Sequence, residues 1–245
     1  FEPLPTTRFA ASDVAEAFRL MAQARHIGKI VVEMQGQPVP VVPLPDQKSV
    51  IRPDAAYLIT GGLSGLGLAT ARWMVAEGAQ HLVLASRSGA ATQEAQDAIA
   101  EFRAQGVRVT IARVDISEWE QVSRLIDDLT PTLGGIVHSA MVLDDEVMIH
   151  LDADRFNAVL APKALGAWHL HRATENLDLD FFVLYSSASA FIGNPRQANY
   201  VSANVFLDTL AHYRRARGLP AMSINWGSIA KVGVVARHPK VEQYL

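Results

Sequence analysis

The stretch Ala55-Ala-Tyr-Leu-Ile-Thr-Gly-Gly-Leu-Ser-Gly-Leu-Gly67 constrains the fold of this chain more than any other. Its apolar start, Ala55 to Ile59, is the length of a buried strand and stops at Thr60-Gly61-Gly62, where glycine permits a tight turn. Leu66, Ala69, Trp73 and Met74 then recur at helical spacing. Gly61, Gly65 and Gly67 stand where backbone must approach a ligand or a neighbouring strand closely. Strand, turn and helix N-terminus together present free N–H groups and a positive dipole end to an anion such as a pyrophosphate. The candidate contacts are Thr60, Gly61, Gly62, Ser64, Gly65, Leu66 and Gly67. The spacing is Gly-x3-Gly-x-Gly rather than the commoner Gly-x-Gly-x-x-Gly, so taken alone the turn reads equally well as a structural device.

Beyond the turn the same strand-and-helix pattern repeats. Strands are expected near 55–60, 81–86, 107–112, 133–138, 181–186 and 221–226, with helices at 65–77, 92–105, 118–129, 152–176 and 197–217 between them. Strands this apolar cannot face water on either side. The pattern predicts an α/β chain: a doubly wound parallel sheet of the Rossmann kind, with a ligand at the carboxyl ends of the strands. Upstream, residues 12–25 read as a helix with Ser12 as N-cap and Val14, Ala17, Phe18 and Met21 on one face, and a strand is expected at Ile30–Val32. Five prolines between residues 36 and 53 mark a linker. The expected organisation is a short N-terminal segment, 1–35, a linker, 36–53, and a main domain, 54–245.

Composition narrows the function classes. A net charge of −3 with scattered basic residues gives no reason to expect nucleic acid or an anionic membrane surface as partner. No apolar run approaches the roughly 20 residues that span a bilayer, and Phe1-Glu2-Pro3 does not begin a signal peptide. The absence of cysteine removes disulfides, thiolate metal sites and cysteine nucleophiles, and is compatible with a cytoplasmic location. The first residue is not Met, as expected for a segment of a longer polypeptide.

The strand ends supply the candidate chemistry. The second strand of the series ends in Ser86-Arg87-Ser88, where a binder of unphosphorylated adenosine ribose usually carries an acid. Arg87 instead suits a forked contact with a 2′-phosphate, with Ser88 adding a hydroxyl, which selects NADPH over NADH. Asp115, beside Ile116, is placed to accept from an adenine amino group, to cap the next helix, or both. His138-Ser139-Ala140 would border the cofactor, Ser187 closes a strand, and Tyr200 and Asn204 lie one turn apart on one helix face.

With these residues in view the sequence resembles the short-chain dehydrogenase/reductase superfamily and, within it, the ketoreductase domains of polyketide and animal-type fatty acid synthases. The resemblance runs from about residue 55 onward. It rests on Ile59–Gly67, Ser86-Arg-Ser88, Leu143-Asp-Asp145, Ala161-Pro-Lys163, Tyr185-Ser-Ser187, Gln197-Ala-Asn-Tyr-Val-Ser-Ala-Asn204 and Asn225-Trp-Gly227. Most of the superfamily places lysine four residues after the catalytic tyrosine, where Asn204 stands here. In synthase ketoreductases the two exchange, and Lys163 matches the lysine of the preceding helix. The resemblance implies Tyr200 as proton donor, Lys163 as its cationic partner and holder of the nicotinamide ribose, Ser187 as the hydrogen bond to the substrate carbonyl, and Asn204 as holder of Lys163 or a relay water. Leu143, Asp144 and Asp145 resemble the substrate-orienting triplet of B-type domains, and Ile192 and Ala198 stand where an A-type tryptophan and an epimerising proline would be. A (3R)-hydroxyacyl product is therefore expected. The implied partners are an acyl carrier protein bearing the β-ketoacyl group on phosphopantetheine and neighbouring synthase domains in a homodimeric parent. Phe18–Val32 resembles the closing stretch of an enoyl reductase domain, and the main domain is expected to lack its last strand and part of a lid near His238-Pro239. A free-standing alcohol dehydrogenase and a silent scaffold domain are the competing readings.

Overall fold

The computed structural model describes residues 4–34, 50–130, 132–227 and 229. They fall into two compact units, Phe1–Lys48 and Ser49–Leu245. In the first unit, strand β1 (Thr6–Ala10) pairs in parallel with β2 (Lys29–Glu33), and helix α1 (Val14–Ala22) connects them. The sequence reading missed β1. Thr-Thr-Arg-Phe-Ala carries little apolar signal, and four of its five residues are exposed. Ser12 is not the N-cap it was expected to be: Ala11–Asp13 form a 3-10 turn, and α1 begins at Val14 after Asp13 with no side-chain cap. Of the expected apolar face only Ala17 is buried, while Val14, Phe18 and Met21 are exposed.

The second unit is built on six parallel strands: β3 (Ala56–Thr60), β4 (His81–Ser86), β5 (Arg108–Arg113), β6 (Leu133–His138), β7 (Phe181–Ser187) and β8 (Met222–Trp226). Their order is β5-β4-β3-β6-β7-β8, so the chain runs outward from β3 to one edge and then returns to fill the other side. This is the doubly wound Rossmann order, with its reversal between β3 and β6. Helices α2 (Gly65–Ala76), α3 (Gln93–Ala104), α4 (Trp119–Leu129), α5 (Ala153–Leu160), α6 (Gly166–Thr174), α7 (Ser189–Ile192) and α8 (Ala198–Ala216) complete the unit.

Period-two alternation on β3 divides the core. Tyr57 and Ile59 pack in one apolar cluster with Leu68, Ala71, Ile99 and Phe102, whereas Ala56 and Leu58 pack in another with Val122, Ile126, Leu170 and Leu207. Both faces of the sheet are thus covered, which explains why these strands read as continuous apolar runs. Residues 50–53, assigned to the linker from their sequence, belong to this unit: Ile51 is buried and the Arg52 amide donates to the Tyr57 phenol oxygen at 2.6 Å. The remaining linker and the expected lid around His238 lie outside the described residues. On α2 the buried face is Gly67, Leu68, Thr70, Ala71 and Met74, and Trp73 is exposed rather than packed inward.

The helix expected over 152–176 is interrupted. A π-helical turn, Ala161–Leu165, separates α5 from α6 at Pro162, whose ring nitrogen has no hydrogen to give the regular ladder. Lys163 sits in that turn.

Candidate active site

The carboxyl ends of β3, β6 and β7 converge at the reversal of the strand order. Gly61 follows β3 with φ +67°, and a Cβ there would press to 3.0 Å on the backbone of Ser139 and Ala140. At Gly67 a Cβ would come within 2.3 Å of the Gly61 carbonyl oxygen. These glycines let the turn, the start of α2 and the 139–140 segment close on one another. Ser64 is the N-cap residue, but its side chain makes no capping hydrogen bond, and no acid lies in the first turn. The helix end therefore keeps its positive character, directed at the crevice.

Around this turn the remaining cofactor candidates differ in availability. Arg87 and Ser88 are exposed beyond β4, and Arg87 has no ion pair among the described residues. The Ser86 hydroxyl donates to the Gly89 carbonyl at 3.3 Å. Asp115 does not cap α4, whose N-cap is Glu118; its Oδ1 accepts from the Ser117 amide at 3.0 Å and from the Ser117 hydroxyl at 2.6 Å. Those bonds, with Arg87 nearby, hold its carboxyl below the usual range against the opposing effect of burial. The Ile116 side chain is core, 5% exposed, and lies where a Cβ on Gly166 would strike it. His138 is likewise buried, 1% exposed, with both ring nitrogens engaged by protein partners. The two side chains are therefore turned into protein, and what Ile116 and His138 offer a cofactor is their backbone. Ser139 and Ala140 remain half-buried at the rim.

Lys163, Ser187, Tyr200 and Asn204 come from three separate elements and meet. The Lys163 ammonium lies 5.2 Å from the centre of the Tyr200 ring and donates to the Tyr185 carbonyl at 2.7 Å. Lys163 is 2% exposed, and burial lowers its pKa to about 7, with Asp208 pulling weakly the other way. Burial raises the Tyr200 phenol, while hydrogen bonding from Asn204 and Ser187 lowers it. Ser187 Oγ accepts from the Ser189 amide at 3.2 Å and from the Ser189 hydroxyl at 3.0 Å, which leaves its own proton to give. Of the two expected uses of Asn204, holding Lys163 or holding a relay water, no hydrogen bond to Lys163 is found among the described residues. Asn204 Nδ2 donates to the Tyr200 carbonyl at 2.8 Å, and its buried Oδ1 has no hydrogen-bond partner among the described residues.

In the triplet Leu143-Asp144-Asp145 the first two residues are half-buried and Asp145 is exposed, and both acids are tied to neighbouring side chains. Asp144 is gripped by both ends of the Arg155 guanidinium, with Nε to Oδ2 at 2.9 Å, and Asp145 accepts from Gln197 Nε2 at 2.8 Å. Arg155 also reaches Glu146 at 3.2 Å. Asn199, fully buried, donates from Nδ2 to the Asp144 carbonyl at 2.9 Å and accepts the Tyr200 amide on Oδ1 at 2.8 Å. The acidic loop is thus tied to the start of the helix that carries Tyr200. Sequence reasoning did not find Asn199, Arg155 or Asp208. Asp208 accepts Asn225 Nδ2 at 2.9 Å and the Ser223 hydroxyl, while Asn225 reaches the Ser187 carbonyl at 3.3 Å. A polar residue on an otherwise buried helix face was the available signal.

Fold and site together define a Rossmann-like domain of the short-chain dehydrogenase/reductase type. Comparison with known proteins makes the family specific: residues 55–231 match the KR domain family, and the chain belongs to it. It is 43% identical over 236 residues to a phenolphthiocerol/phthiocerol polyketide synthase of Mycobacterium tuberculosis, covering 95% of this chain and 11% of that protein. It is 40% identical over 246 residues to the squalestatin tetraketide synthase of Phoma sp., covering 98% and 9%. The chain therefore spans about a tenth of the length of these curated relatives. Among solved structures, an A1-type ketoreductase superposes with a TM-score of 0.76 at 39% identity, covering 84% of this chain and 44% of that one. Among the described residues, no helix is long and apolar enough to cross a membrane, and no cluster of histidine and acidic residues could hold a metal.

Proposed function

We propose that this chain reduces a β-ketoacyl thioester, carried on the phosphopantetheine of an acyl carrier protein, to the (3R)-hydroxyacyl thioester with NADPH. The observation that carries this reading is the convergence of the Lys163 ammonium, the Tyr200 ring and the Ser187 hydroxyl at the carboxyl edge of the sheet. The donor set fits the cofactor: uncapped amides at the start of α2 suit a pyrophosphate, and the Arg87 guanidinium suits a 2′-phosphate. Asp115 retains Oδ2 for an adenine amino group, and Lys163 is the candidate for the ribose hydroxyls. Bound NADPH supplies a hydride equivalent to the carbonyl carbon. Negative charge then grows on the carbonyl oxygen. The Ser187 hydroxyl, which turns from Tyr200 to that oxygen when substrate binds, orients it, and Tyr200 delivers a proton to it. Lys163 stabilises the phenolate left behind.

The (3R) outcome rests on the Leu143-Asp144-Asp145 triplet and on Ile192 in place of a tryptophan. In this reading the acidic loop acts through its ties to Gln197 and Asn199, which set the approach to Tyr200. Partners are the carrier protein and adjoining synthase domains in a homodimeric, cytoplasmic parent.

One assay tests the reading. Loss of NADPH absorbance with a β-ketoacyl thioester, combined with chiral analysis of the product, should show turnover and the R alcohol. Tyr200→Phe should lower kcat by at least about 100-fold with NADPH binding retained. Arg87→Ala should weaken NADPH by about tenfold or more and leave NADH unaffected. A Tyr200→Phe variant of normal rate would overturn the assignment, and an S product would overturn the stereochemistry.

A further inference from the structure

Lys163 is held by its main chain as well as by its ammonium. Thr60 Oγ1, at the end of β3, accepts the Ser139 amide at 3.2 Å and the Ala140 amide at 3.3 Å. Its hydroxyl proton is then directed to His138 Nδ1, 2.8 Å away. His138 Nε2 lies 2.9 Å from the Lys163 carbonyl oxygen, which can only accept, so the ring carries its proton on Nε2. Thr60 and His138 are 0% and 1% exposed. From these contacts we infer that His138 is a positioning residue: a neutral imidazole that fixes the Lys163 turn to the end of β3, where the glycine turn begins. The inference rests on the reductase reading above only for its effect on turnover.

The physics favours a permanently neutral ring. Burial lowers the pKa of His138 to about 3, and the nearby Lys163 charge acts in the same direction. Among the described residues, the charged or titratable groups that act on Lys163 and on the His138 ring beside it are Tyr200 and Asp208 on α8 and these two groups on each other. Lys163 sits in a π-helical turn, where regular i to i+4 bonding is lost and the backbone can shift. A donor fixed to the sheet removes that freedom. The hydrogen-bond chain also runs from the 139–140 backbone, against which Gly61 packs, to the lysine. The phosphate-binding turn and the proton-relay lysine thereby share one rigid frame.

Three measurements test this. In the full chain with nitrogen-labelled histidine, the His138 signal, identified by its loss in His138→Gln, should show the Nε2–H tautomer from pH 5 to pH 8 at about the same shift. Titration of that signal in this range would overturn the inference whatever the chain catalyses. His138→Leu, which removes both bonds, should lower kcat on the order of 100-fold, with the KM for NADPH changed far less. His138→Gln, whose amide can accept from Thr60 and donate to the Lys163 carbonyl, should recover kcat to within about tenfold of the parent. A His138→Leu variant with parental kcat, or a folded His138→Gln variant as slow as His138→Leu, would also overturn it. Should the parent chain show no reductase turnover, the functional reading fails while the tautomer measurement still decides the position of the proton.

Discussion

Lys163 shows what a cation costs when it is buried. Its ammonium donates to the Tyr185 carbonyl, and burial lowers its pKa from 10.5 to about 7. In the unfolded chain the lysine keeps its ordinary value, so between pH 7 and 10.5 the unfolded state binds more protons. Stability therefore rises with pH across that window, and the full penalty, on the order of 5 kcal/mol, is felt below it. Lys163→Met keeps the apolar stem and removes the charge. It should raise the melting midpoint at about pH 6, raise it less at about pH 10, and lose turnover. A midpoint lowered at the acidic pH would show that the ammonium is a net stabiliser. The residues that touch reacting atoms in the proposed mechanism were legible in the sequence because their identities and spacings are dictated by chemistry. The residues that hold them were not. His138 and Asn199 act through tertiary hydrogen bonds over 25 and 55 positions of chain, and sequence spacing carries no trace of such pairs.

At the level of elements, the start of α8 is fixed from its side. Asn199 bridges the Asp144 carbonyl and the Tyr200 amide, and Arg155 clamps the same loop through Asp144 and Glu146. Asn199→Leu is expected to lose both bonds and leave a buried carbonyl unpaired, costing about 1–3 kcal/mol in urea unfolding. On the proposed reading it should also slow turnover more than it weakens NADPH binding, because α8 carries Tyr200 and the glycine turn lies elsewhere. Equal losses in both would mean that the clamp serves general stability alone. The sheet strands and their helices were readable because burial on both faces leaves continuous apolar runs between turn signals. β1 was not, since parallel pairing with β2 satisfies its backbone while its side chains stay exposed. The π-helical turn at Pro162 was hidden for another reason. One extra residue in a helical turn changes the local hydrogen bonding but hardly alters the apolar periodicity on either side.

The second unit, taken whole, buries histidines wholly or partly at both ends of its strands, His138 closing β6 and His81 opening β4, and this sets how it responds to acid. His138 joins the ends of β3 and β6 to the Lys163 turn, and its pKa falls from 6.5 to about 3 on folding. Protons then bind the unfolded chain first: stability is complete above pH 6.5 and is lost as pH falls toward 3. Burial also lowers His81 and His171, which adds loss of the same sign. Between about pH 6.5 and pH 5 the His138 share is about 2 kcal/mol, a large part of a margin that is commonly about 5–15 kcal/mol. The carboxylates of Asp144 and Glu146, held low chiefly by Arg155 and by the Val147 amide respectively, give way only at more acidic pH. Urea unfolding at about pH 6.5 and about pH 5 should therefore show a marked loss in the parent chain and a distinctly smaller one in His138→Gln, which cannot titrate. Equal losses in the two proteins would mean that His138 takes up its proton without leaving its place, and that the frame around Lys163 tolerates a charge at its centre.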